Sequence, residues 1–283
     1  MKLLATILIG CLSAFNARLA NAQPQTMTEL VPRVASYSLV FRHVNELKER
    51  GDEFATEMGH KGAMSWFCRM AGSELLVQGA ADDTLPCGIM FFEPELIGEP
   101  PVKQGWKKPV AVKIGISDTR VLAKSLEVDH EEFVTGKVVS KGHSTFGHTQ
   151  RFYRMADQYL WVTSHEKIYD VLKTAEPLTT VIPRSRLDEI NAQDLLMSFS
   201  AESRDLQREA CQERADKWIK SLGELDPAEE HALRELHSLI FSASHAVLTG
   251  RVDRGLEFSF NLFFGQDAPA EVQQRMVRFS PPA

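Results

Sequence analysis

Two spacings of apolar residues alternate along this chain: short runs rich in β-formers, and longer stretches in which apolar side chains recur every three or four positions. Val34 to Phe41 is a run of the first kind. Val44, Leu47, Phe54, Ala55 and Met58 then recur at helical spacing, and Gly59 is a natural stop. A shorter helix is expected from Lys61 to Ala71, followed by Leu75 to Val77 and by Pro86 to Phe92, a short apolar run that reads as a buried strand. Glu93 to Pro109 is loop-like, with Pro94, Pro100, Pro101 and Pro109. Val110 to Ile116 predicts a strand running into Ser117 and Asp118, an N-cap pair for a helix that carries Val121, Leu122 and Leu126. Phe133 to Ser140, Arg151 to Met155 and Tyr159 to Thr163 read as hairpin strands, after which Ser164 is expected to cap a helix with Ile168, Val171 and Leu172. Ala175 to Gln193, with Pro177 and Pro183, is linker-like, with packing against the core left open.

The clearest unit is Asp194 to Phe264, which reads strand, helix, helix, strand, strand. Leu195 to Phe199 opens it, and Leu206, Ala210, Trp218, Ile219 and Leu222 keep helical spacing. A second helix is expected to start at Pro227, because Asp226 can accept from free backbone amides, proline suits the first helical position, and Glu229 and Glu230 complement the helix dipole. Its apolar stripe runs from Ala232 to Ala243, and Val247 to Val252 and Leu256 to Phe264 close the unit. Val34 to Phe92 has the same order of elements. The expected fold class is therefore α+β: antiparallel sheets covered by helical pairs, with a two-unit internal duplication as the relation between those segments. The expected organisation is a signal peptide over 1–22, a first α+β unit with a hairpin-rich region and linker over 23–193, the second unit over 194–264, and a tail over 265–283.

The first residues change the picture from fold to destination. Lys2 precedes the apolar run Leu3 to Phe15, and Ala20-Asn21-Ala22 places small residues before Gln23, the pattern of a secretory leader cut after Ala22. The run is too short to span a bilayer, so the mature chain is expected in the periplasm or outside the cell, without a transmembrane helix. Leu8-Ile9-Gly10-Cys11 supplies the minor alternative of a lipid anchor on Cys11.

Composition then narrows the partners. The chain has 283 residues, 43% hydrophobic and 25% charged, which suits a globular core rather than disorder. A formal charge of -6, more acidic still once Lys2 and Arg18 leave with the leader, argues against nucleic acid as a partner. Beyond the leader Cys68, Cys87 and Cys211 remain, an odd set that cannot pair fully within one chain. Cys68 with Cys87 is the pair an oxidising compartment could join, although Cys68 lies in a helical pattern with Met64, Phe67 and Ala71 that also suits a small buried side chain.

Candidate chemistry is sparse. His143 and His148 flank a short turn downstream of His130-Glu131-Glu132, ligand types that zinc accepts, but the spacing matches no recurring metal motif and no metal is expected. Gly142-His143-Ser144-Thr145-Phe146 misses the nucleophile elbow, since Phe146 stands where its second glycine belongs. A hydrolase built on Ser144, His143, His148 and Glu131 is thus the alternative function. Trp106 is a weak candidate for ligand binding from a loop. Phosphate-loop, dinucleotide and Cys-x-x-Cys motifs do not occur, and no cofactor is implied.

The leader, the strand-to-helix transitions at Ser117 and Ser164, the segment Tyr159-Leu160-Trp161-Val162 and the two-unit layout resemble uncharacterised exported proteins of planctomycete-type bacteria. That resemblance implies the fold and the export, and no activity. The leading expectation is an exported, non-catalytic protein that binds an envelope protein or a small ligand, of open oligomeric state.

Overall fold

The computed structural model describes residues 25–57, 59–100, 108–145, 148–200, 226–252 and 256–264, together with 213, 216–217 and 219–221. Their framework is one nine-stranded sheet in which every neighbouring pair is antiparallel. The strands are β1 (Tyr37–Phe41), β2 (Cys87–Phe91), β3 (Val110–Gly115), β4 (Val139–Thr145), β5 (His148–Ala156), β6 (Tyr159–Thr163), β7 (Leu195–Ser200), β8 (His245–Val252) and β9 (Leu256–Phe263). Their order is β4-β5-β6-β3-β2-β1-β7-β8-β9. The mixed α+β class and the antiparallel pairing agree with the expectation, and all the hydrophobic strands share a single sheet.

One face is covered by α1 (Met27–Leu30), α6 (Ile168–Thr174) and α7 (Arg184–Asn191). Met27, Leu30, Ile168, Leu178 and Ile190 pack there against Val40, Met90, Ala111, Tyr159, Trp161 and Leu196 of the strands. Ahead of Val34, Thr26 and Glu29 form a capping box, so the four residues after Thr26 make a helical turn that buries Met27 and Leu30. The linker-like stretch is part of the core, with Leu178 and Ile190 almost fully buried and Pro183 opening α7. Gly88 makes the fit possible, since a Cβ there would lie 2.8 Å from a Val40 methyl and 3.3 Å from a Leu30 methyl.

The opposite face is covered at the β3-β6-β5 side by α4 (Thr119–Leu126) and α5 (His130–Val134). Asp118 caps α4, accepting from the amides of Arg120 and Val121 at 2.9 Å, as the sequence suggested. The strand expected from Phe133 to Ser140 is corrected. Asp129 accepts the Glu132 amide at 2.9 Å and starts a helix that carries Phe133 into the core; Gly136, at φ 87°, ends the turn, and β4 begins only at Val139. Ser164 is corrected too: α6 has Lys167 at its N-cap with no side-chain hydrogen bond, and the Ser164 hydroxyl instead takes the Val110 amide at 2.9 Å.

The remaining helices are α2 (Val44–Glu57), α3 (Ala63–Glu74) and α8 (Pro227–Ser242). Asp226 and Glu229 form the capping box of α8, so its start at Pro227 is where local chemistry placed it. Ala232 of its expected stripe is exposed, whereas Leu233 and Leu239 are half-buried.

Candidate functional site

The residues singled out for hydrolase chemistry fall at one edge of the sheet. His143 and Ser144 lie on β4 and His148 opens β5, with Thr145 opposite His148 and a register shift between Gly142 and Thr145. The side chains of His143, Ser144 and His148, and all of Trp106 and Cys11, lie outside the described residues. Glu131 is exposed in the first turn of α5, where a carboxylate complements the helix dipole. Nearby, the hydroxyl of Thr119 is 2.9 Å from His130 Nε2, which ties α4 to α5.

Three polar clusters come instead from residues the sequence reading passed over. The first stands where β1 leaves the sheet. Asp194, almost buried, accepts from Arg50 at 2.9 Å and from the Val252 amide at 2.8 Å, and lies 3.6 Å from Arg42. Glu46 receives Arg50 at 2.5 Å and sits 2.9 Å from His43 Nδ1; the hydrogen bond with His43, more than the arginine charge, holds its carboxyl below the usual range. Both guanidiniums are matched by carboxylates, so the cluster joins α2 to β7 and β8 and offers no net charge to a ligand.

The second cluster lies at the opposite end of the strands. Glu93 accepts from Ser36 at 2.7 Å and from Lys108 at 2.5 Å, and all three side chains are buried. Lys108 also lies 5.1 Å from the centre of the Tyr37 ring. One strand over, Ser164 Oγ is 2.8 Å from His165 Nδ1, and His165 Nε2 is 3.4 Å from Glu99. A serine, an imidazole and a carboxylate in a row have the composition of a nucleophile relay. Yet Ser164 is buried and its oxygen is already engaged by the Val110 amide. The chain holds the return from the Glu93–Pro109 segment against β6.

The third is Lys113, buried in the middle of β3. Its ammonium lies 4.7 Å from the Tyr159 ring centre and 4.8 Å from that of Trp161, and donates to the Gln25 side chain. Burial lowers its pKa to about 8, with the Asp157 charge opposing the shift. Strand alternation could have flagged it: Lys113 interrupts an otherwise apolar, fully buried strand.

An apolar stretch lies on the face that α4 and α5 cover only in part. Register places Tyr37, Leu39 and Phe41 of β1 beside Phe91, Ile89 and Cys87 of β2 and beside Phe199, Met197 and Leu195 of β7. The same face continues through Leu248 of β8 to Phe258 and Phe260 of β9. Tyr37, Leu39 and Phe41 are half-buried, while Phe258 and Phe260 are 58% and 50% exposed. Trp66 and Met70 of α3 are exposed as well. Exposed aromatic residues concentrated on one sheet face are the usual mark of a contact surface. Among the described residues no group of three or more His, Cys, Asp or Glu side chains could hold a metal ion, and no helix is long and apolar enough to cross a membrane. No protein-family profile, curated protein or solved structure matches this chain.

Proposed function

We propose that this is an exported, non-catalytic protein of the cell envelope that binds a partner protein through the apolar edge of the sheet at β9, where Phe258 and Phe260 are exposed. The observation that carries this reading is the exposure of Phe258 and Phe260 on a strand whose alternation already commits them to the face of Leu39 and Met197. Export rests on Lys2, the Leu3 to Phe15 run and Ala20-Asn21-Ala22. We further read the chain as an internal duplication. In support, the order β3-β2-β1-β7-β8-β9 is a palindrome about the β1–β7 pair. The partner of Leu39 on β2, Ile89, and the partner of Met197 on β8, Leu248, also follow at nearly equal chain lengths.

The test is cross-linking of the full chain in its native envelope fraction, with intact mass measured on the same material. The expected result is a chain beginning at Gln23 and one discrete cross-linked protein, which is lost from a Phe258→Ser, Phe260→Ser double variant of unchanged thermal midpoint. A chain retaining residues 1–22 removes export; a cross-linked species that is absent, or indifferent to the double variant, removes the binding face.

A further inference from the structure

We propose that Cys68 and Cys87 are a redox pair whose disulfide fastens α3 to β2. The inference rests on how the α2–α3 hairpin sits on the sheet, and not on export or on the binding face. Asp52 of α2 accepts the amides of Met64 at 2.8 Å and Ser65 at 3.1 Å, and the Ser65 hydroxyl also bonds to it, so this side of α3 looks at α2. Cys68 follows one helical turn later, on the same side. One turn before Asp52, Lys48 reaches Asp83 at 3.6 Å, and the backbone of Asp83 accepts the Asn45 amide at 3.2 Å. Asp83 lies four residues before Cys87, the first residue of β2, which stands opposite Phe41 where the chain departs for α2.

The two thiols and Asp83 therefore share one corner between helix and sheet. Their ionisation reflects it: burial pushes the Cys87 thiol up to about 12, with the neighbouring Cys68 and Asp83 adding to the shift. Cys68 is raised as well, by burial first and by Asp83 in part, against the opposing charge of Lys48. Both cysteines are half-buried and free.

The chemistry is thiol–disulfide exchange with a low-molecular-weight disulfide. The Cys68 thiolate attacks one sulfur of the donor and expels a thiolate, forming a mixed disulfide. The Cys87 thiolate then attacks Cys68 Sγ and expels the second thiol. The two cysteine sulfurs lose two electrons, the donor disulfide gains them, and the cysteine protons leave with the two released thiols.

The full chain is incubated with oxidised glutathione, alkylated, and digested with trypsin without reduction. The expected product joins the peptide ending at Arg69 to the peptide ending at Lys103, two hydrogens lighter than their sum. The folded protein's thermal midpoint rises by roughly 5–10 °C on oxidation, and dithiothreitol reverses the rise. Cys68→Ser and Cys87→Ala each lose the linked species and the rise. Recovery of both peptides separately alkylated, of Cys68 bound to glutathione, or of Cys68 linked to Cys211 overturns the pairing.

Discussion

Leu160 and Leu39 lie on the same face of one sheet, each with apolar cross-strand partners, yet Leu160 is fully buried and Leu39 is half-buried. The difference is in what stands over them. Above Leu160, two short helices capped by Asp118 and Asp129 bring Leu122, Leu126 and Phe133 down to 0–1% exposure. Above the β1–β2–β7 region, α2 and α3 bury only Gly51 among their described residues, where a Cβ would meet Met64 at 3.1 Å. Apolar alternation assigns a side chain to a face; depth of burial depends on the layer above it. A sheet face left at intermediate depth and ending in exposed phenylalanines is a surface suited to contact, whereas a fully packed one serves stability.

Substitution separates the two regions most sharply. Leu160→Ala should cost about 3–5 kcal/mol in denaturant unfolding, because the tightly filled site cannot collapse around the cavity, while Leu39→Ala should cost about 1 kcal/mol. Equal losses would show that the two regions are packed alike.

The next effect tests the covered face, where Lys113 is held among aromatic rings. Its folded pKa of about 8 lies below the ordinary value of 10.5, so between those pH values the unfolded chain binds more protons and stability rises with pH. The cost of the buried charge is full below about 8 and gone above 10.5. Lys113→Met should therefore stabilise the protein by about 2 kcal/mol at neutral pH, with the gain fading across that window. A stability difference that does not change with pH would contradict the buried charge.

The smallest expected change in stability is at the exposed end of the apolar face, on β9. Phe258→Ser with Phe260→Ser should alter folding free energy by no more than about 0.5 kcal/mol, since both rings already meet water. The same double variant should nevertheless bind markedly less of a hydrophobic fluorescent dye. A large loss of stability would mean that these rings are core.

Local chemistry made several elements legible in the chain itself. Asp226-Pro227 with Glu229 predicts the start of α8, and Ser117-Asp118 the start of α4, because both signals act within one helical turn. The runs around Phe91, Val112, Trp161 and Phe260 are recognisable as strands from their residue types alone. Phe133 was harder: its β-prone neighbours favour a strand, and it is the Asp129 cap together with burial under α4 that makes it helical. The polar clusters were not legible, since Glu93 with Lys108, His165 with Glu99, and Arg50 with Asp194 are brought together by tertiary pairing, which sequence spacing does not encode.

By itself the sequence determined the alternation of strands with helices and which side chains share a face, because those depend on residue type and on periods of two and 3.6. Only the tertiary structure decided that all nine strands form one sheet, that the linker-like residues around Leu178 and Ile190 belong to its core, and that Phe258 and Phe260 stay in contact with water. Those outcomes depend on long-range pairing, where many weak contacts compete for the same surface and no local signal names the winner.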